Sequence, residues 1–116
     1  MSDERRMMPL LLKSETRGNE HLYDCEVPAD LAPLEGHFPG FPLVAGVFQL
    51  KWVMDFAAIA LRRPPRPARL QQVKFQRLLR PGDRFRITID VREDGFGYRL
   101  SGETEAYASG RVVERP

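Results

Sequence analysis

Between Gly46 and Leu61 the chain is apolar at nearly every position, and only Gln49, Lys51 and Asp55 interrupt the run. A helix on a protein surface keeps one polar face. This stretch has none, so it predicts a helix wrapped by other structure on most sides. The run stops at Arg62-Arg63-Pro64-Pro65, where proline removes a backbone donor and clashes with the preceding turn. Further on, Phe85, Ile87, Ile89 and Val91 alternate with Arg84, Arg86, Thr88 and Asp90, the period of a strand with one dry face. Asp94-Gly95 marks a hairpin. Phe96, Tyr98 and Leu100 continue the alternation, and residues 103–113 supply a last strand. A weaker alternation runs from Leu70 to Arg77, closed by the turn Pro81-Gly82-Asp83. Ahead of the helix, Leu10 to Glu15 and His21 to Val27 read as two strands about a Gly18-Asn19 turn. Residues 28–42 carry Pro28, Pro33, Gly36, Pro39, Gly40 and Pro42, and so predict a structured loop.

Two strands, a long loop, one buried helix and three or four more strands make an α+β arrangement. A sheet curled around the helix explains its lack of a wet face, which is the topology of a hotdog fold. Residues 1–6 read as a mobile tail and 7–116 as one domain. So small a curled sheet leaves one helix end and one edge strand uncovered, and a homodimer is expected to cover them.

Composition narrows the class. Of the 116 residues 42% are hydrophobic and 29% charged, which suits a folded globular chain rather than a disordered one. No apolar run reaches the ~20 residues of a membrane span. The first residues carry acids and no apolar signal core, and the single cysteine, Cys25, has no partner for a disulfide. Both point to the cytoplasm. Net charge is +2, yet Arg62, Arg63, Arg66, Arg69, Lys74, Arg77, Arg80, Arg84 and Arg86 stand against the lone acid Asp83. That skew has two readings, a solvated basic face or a surface for an anionic partner.

The loop ends in Gly36-His37-Phe38-Pro39-Gly40-Phe41-Pro42-Leu43-Val44-Ala45-Gly46-Val47. This stretch resembles the signature of the β-hydroxyacyl-acyl-carrier-protein dehydratases, with His37, Phe38-Pro39-Gly40, Pro42 and Gly46-Val47 in register. Gln49-Leu50, Trp52-Val53-Met54, Lys74-Phe75-Gln76 and Pro81-Gly82 are similar to the dehydratase-like proteins of aryl-polyene and related pigment pathways. Two positions depart from the pattern. Ala45 replaces a proline, and Lys51, fourteen positions after His37, stands where those dehydratases carry a catalytic carboxylate.

The resemblance implies loss of water from a 3-hydroxyacyl thioester held on acyl carrier protein. Such a reaction needs a base for the proton beside the carbonyl, donors for the enolate oxygen, and an acid for the leaving hydroxyl. His37 suits the first task, because an imidazole with a reference pKa of about 6.5 keeps a neutral fraction near neutral pH. The amides at Gly46 and Val47 are unpaired donors at the positive end of the helix and suit the second. Phe38, Pro39, Gly40 and Gln49 complete the implied substrate contacts. Lys51 has two readings. Desolvated, its ammonium is an acid for the leaving hydroxyl; paired with Asp55 one turn on, it is a surface ion pair worth at most ~0.5 kcal/mol.

Under this resemblance Arg62, Arg63, Arg66 and Arg69 form a rim that steers an acidic carrier protein. Two rivals stay open. One is a subunit that binds acyl chains without dehydrating them, completed by a carboxylate-bearing homologue in a heterodimer. The other is a hotdog thioesterase, for which only Asp55 and Glu35 are placed. His21 reads as a surface or interface side chain, and Cys25 as a small core residue. Trp52, Met54 and Phe56 read as packing. No Cys/His cluster, phosphate-cradling glycine loop or serine nucleophile elbow occurs, so no metal or cofactor is expected. The aromatics of the basic region alternate with apolar strand residues and read as core, so no nucleic acid is expected, and the lack of a long apolar run argues against membrane insertion.

Overall fold

The computed structural model describes residues 8–29 and 46–116. Strands β1 (Leu10–Arg17) and β2 (Glu20–Glu26) precede helix α1 (Gly46–Leu61). Four strands follow: β3 (Pro67–Phe75), β4 (Arg84–Arg92), β5 (Gly95–Ser101) and β6 (Ala106–Glu114). They form one antiparallel sheet in the order β1-β2-β4-β5-β6-β3, which leaves β1 and β3 as its edges. This is the α+β hotdog arrangement the pattern predicts, with the helix boundaries as expected.

Strand limits moved. β3 starts at Pro67, since proline is tolerated at the first position of an edge strand. The last strand begins at Ala106 rather than 103, because the Gly102 amide bonds the Glu105 carbonyl and closes a turn.

Register places the dry positions on one face. Tyr23 lies opposite Ile87, Cys25 opposite Phe85, Ile87 opposite Leu100 and Ile89 opposite Tyr98. The helix meets this face through Gln49, Trp52, Val53, Phe56 and Ala57, a spacing of three and four that makes one stripe. Trp52 stacks on Phe85 with ring centroids 5.9 Å apart, and Phe56 leans on Tyr23 at 4.8 Å. Each large side chain fully buried here contributes about 1.5–3 kcal/mol by leaving water.

The helix is not covered all round, however. Lys51, Asp55 and Ile59, one turn apart, form a stripe facing solvent, and Ile59 is 57% exposed. A single chain's sheet has one concave face and so covers one side of a helix.

At its C-terminus the helix ends in a Schellman turn. The Arg62 amide bonds the Ile59 carbonyl at 3.3 Å and the Arg63 amide bonds the Ala58 carbonyl at 3.2 Å. Arg62 takes the left-handed backbone this turn needs, with φ 61°. Among the described residues no helix is long and apolar enough to cross a membrane.

Candidate functional site

Gly46 opens the helix against β3. A Cβ on Gly46 would lie 3.1 Å from the Phe75 ring, so glycine lets the first turn rest on that side chain. The first turn holds no acidic residue. Its amides, the donors a helix start leaves without intrahelical partners, therefore keep their positive end uncompensated by an acid of that turn. One turn on, Gln49 is buried at 1% exposure among the apolar residues that face the sheet. His37, Phe38, Pro39 and Gly40, together with Glu35, lie outside the described residues, as does the side chain of Val47.

Lys51 points away from this packed face. Its Nζ donates to Asp55 Oδ2 at 2.8 Å, and the two side chains are 50% and 36% exposed. Within one chain this is the surface-pair arrangement, not a desolvated ammonium.

The four arginines expected to form a rim divide by environment. Arg63 makes a two-pronged pair with Glu114, Nη2 to Oε1 at 2.8 Å and Nη1 to Oε2 at 3.0 Å. The Arg66 backbone amide donates to the same carboxylate at 2.8 Å. Arg63 thereby ties the end of α1 to the end of β6. The side chains of Arg62, Arg66 and Arg69 are exposed and make no salt bridge among the described residues. Sequence reading missed Glu114, because its partner lies 51 residues away and no local signal joins them.

The Arg63 guanidinium, followed by the Arg66 amide, holds the Glu114 carboxyl below its ordinary value of 4.5, against the opposing effect of burial. A depressed folded-state pKa gives stability that is present above the unfolded value and lost as pH falls through the folded one. Wild-type thermal stability is therefore expected to decline below about pH 4.5, and Glu114→Gln should flatten that decline. Glu114→Ala should cost about 1–3 kcal/mol at neutral pH in denaturant unfolding. Equal acid dependence in wild type and Glu114→Gln would rule the linkage out.

The remaining candidates are structural. Cys25 is buried, and burial pushes its thiol up to about 12, so it is an inert core residue. His21 sits on β2 with its Nδ1 3.4 Å from Thr16 Oγ1. No group of His, Cys, Asp and Glu among the described residues is arranged to hold a metal.

Comparison with known proteins agrees with this architecture. Residues 13–111 match the ApeI-like family, described as ApeI dehydratase. The 3-hydroxyacyl-(acyl-carrier-protein) dehydratase FabZ of Oenococcus oeni is 36% identical over 72 residues, covering 54% of this chain and 52% of that protein. FabZ of Thermomicrobium roseum is 31% identical over 90 residues, covering 67% and 60%. The chain thus spans little more than half the length of the curated relatives it matches.

Among solved structures, the dehydratase heterocomplex ApeI:P from Xenorhabdus doucetiae superposes with a TM-score of 0.83 at 27% identity. That match covers 90% of this chain and 96% of that one. Thioesterase superfamily member 2 from Mus musculus shares the fold, with a TM-score of 0.63 at 15% identity over 86% and 83% of the two chains.

Proposed function

The chain belongs to the ApeI-like dehydratase family, and from that membership we propose that it serves the removal of water from a 3-hydroxyacyl thioester on acyl carrier protein. The observation that carries this reading is the family match over residues 13–111, which takes in both the His37 frame and the whole of α1. His37 is the base that takes the proton beside the thioester carbonyl. The Gly46 and Val47 amides hold the oxygen that gains charge, with Phe38, Pro39, Gly40 and Gln49 around the acyl chain. Lys51 occupies the acid position. The setting is a fatty-acid-like or aryl-polyene pathway in the cytoplasm. Arg62, Arg66 and Arg69 help to attract the carrier protein, while Arg63 is engaged by Glu114.

The Lys51–Asp55 pair supports a second reading. An exposed, paired ammonium does not act as the acid in an isolated chain, so the site needs either a second copy that covers Lys51 or a homologue that brings a carboxylate. The Xenorhabdus relative is a dehydratase heterocomplex. Edge strand β3 suits either pairing, because Leu70, Val73 and Phe75 on it are 45%, 37% and 49% exposed. Sedimentation at twice the monomer mass is expected. A monomer at micromolar concentration would exclude the self-paired form.

One assay separates the readings. The purified protein is incubated with a 3-hydroxyacyl carrier-protein substrate, and loss of one water is followed by mass. Turnover by wild type is expected. No turnover by wild type, together with turnover by Lys51→Glu, would assign the chain to the acyl-binding subunit role. Release of free acid would make it a thioesterase.

A further inference from the structure

The outer side of the sheet, away from α1, has two electrostatic halves. On β1, β2 and β4 opposite charges meet: Arg17 on Glu15 at 2.6 Å, Arg86 on Asp24 at 2.7 Å, Arg84 on Glu26 at 3.0 Å and Arg92 on Asp90 at 3.1 Å. Across β5, β6 and β3 the pattern changes. Register sets Arg99 opposite Ser109, and Ser109 opposite Lys74, so a cation flanks the hydroxyl on each side. Arg69 lies farther along the same face, opposite Val113. Arg111 is held by Asp94 at 2.8 Å. Arg99, Lys74 and Arg69 are exposed and have no carboxylate partner among the described residues. No acid occurs anywhere in residues 56–82 to supply one locally.

The backbone gives this stripe a shape. Between Gln71 and Lys74 the β3–β6 register slips by a bulge, with Gln72 at φ 55°. Beside it lies a hollow of about 440 Å³ lined by Gln72, Val73, Lys74, Ser109 and Gly110. Strands about 4.8 Å apart put the Arg99 and Lys74 backbones about 10 Å from each other. Their long side chains therefore reach either one anionic group over Ser109 or two neighbouring carboxylates. A row of one sign repels itself, and an acidic surface laid against it removes that repulsion.

We propose that the outer face of β5, β6 and β3, centred on Arg99, Ser109 and Lys74 with Arg69 beside them, is the docking surface for the acidic carrier protein. This rests on the dehydratase reading, shares only Arg69 with the arginine rim, and moves the centre of docking to Arg99, Ser109 and Lys74. The face adjoins the β3 edge and lies on the side of the sheet opposite α1. Pairing of two copies along β3 brings two such stripes together. Nucleic acid fits less well. Phe96, Tyr98 and Tyr107 are buried and Phe75 packs on Gly46, so none of these rings is set out on the stripe for base stacking.

The test is the double variant Lys74→Glu/Arg99→Glu. It is assayed with a 3-hydroxyacyl group on carrier protein and with the same group on a short thioester that lacks the carrier. Expected are a KM for the carrier-bound substrate raised about tenfold with a weakened salt dependence, and unchanged kinetics on the short thioester. An unchanged KM for the carrier-bound substrate would overturn the docking surface while leaving the reaction intact. If wild type turns over neither substrate, the dehydratase reading fails by itself. Docking is then read by fluorescence anisotropy of labelled acyl carrier protein, where about tenfold weaker binding by the variant is expected and equal binding overturns the proposal. Tighter wild-type binding to an oligonucleotide or an anionic vesicle than to carrier protein, abolished in the same variant, overturns it as well.

Discussion

Dehydration by His37→Ala is expected to fall by a factor of about 10² to 10⁴, the usual contribution of a positioned acid–base group. No other imidazole can take over the task, because His21, the only other histidine, lies on β2 beside Thr16. With the amides at the start of α1 as the proposed oxygen donors, activity above the uncatalysed rate should persist. The loss should appear in kcat and kcat/KM together, since the proton transfer is made only in the transition state. With His37 as base, kcat/KM of wild type should also fall toward acid pH as the imidazole is protonated. The variant should lack that limb. A folded His37→Ala protein that turns over at the wild-type rate would remove His37 from the mechanism.

Gly95→Ala is expected to cause the largest loss of stability of any single methyl addition at a described glycine. Gly95 adopts φ +152°, and a Cβ there would overlap the Val112 carbonyl oxygen, with the Val112 carbonyl carbon at 3.0 Å and the Glu114 amide at 3.2 Å. The obstacle is backbone on a neighbouring strand. Gly95 pairs with Arg92 on one side and Val113 on the other, so neither flank can move aside without opening a ladder. The cost should be about 3–5 kcal/mol, combining a glycine-only backbone region with lost sheet pairing. That is a large part of the 5–15 kcal/mol, roughly, that holds a domain folded. It corresponds to a melting temperature lower by roughly 10–20 °C. Gly18→Ala is the control. Gly18 also has a positive φ, +59°, but a Cβ there meets nothing within 4 Å, so about 1 kcal/mol is expected. Equal melting temperatures for the two variants would show that the Val112 contact is relieved.

Where local pattern and burial coincide, the chain could be read directly. The period-two stretch from Arg84 to Leu100 became β4 and β5 because its dry side chains cannot be buried in any other register. Helix α1 ended at Leu61, as the prolines require. The His37 frame is one short motif with its own spacing, and of it only Gly46 onward lies among the described residues, where Gly46 opens α1 as expected.

The expectation that the helix has no wet face failed for a physical reason. Apolar content tells how much surface wants to leave water, but not whether this chain or another supplies the cover. Ile59 and the β3 residues Leu70 and Phe75 are left exposed by the fold of this chain.

Other features depended on distance in the fold. The Lys51–Asp55 pair was open to sequence reading because four residues make one helical turn, but only the packed helix decides that this pair faces water. Arg63 looked equivalent to its basic neighbours until β6 brought Glu114 to it across 51 residues. The row of Arg99, Ser109 and Lys74 comes from three strands, and no window of sequence contains it. Fold class and helix limits thus follow from short-range constraints, side-chain period and proline geometry, and the proposal for His37 rests on motif spacing. Which charges are neutralised, which are left free and which apolar surface stays exposed among the described residues were settled by strand order and register, because these set what each side chain meets.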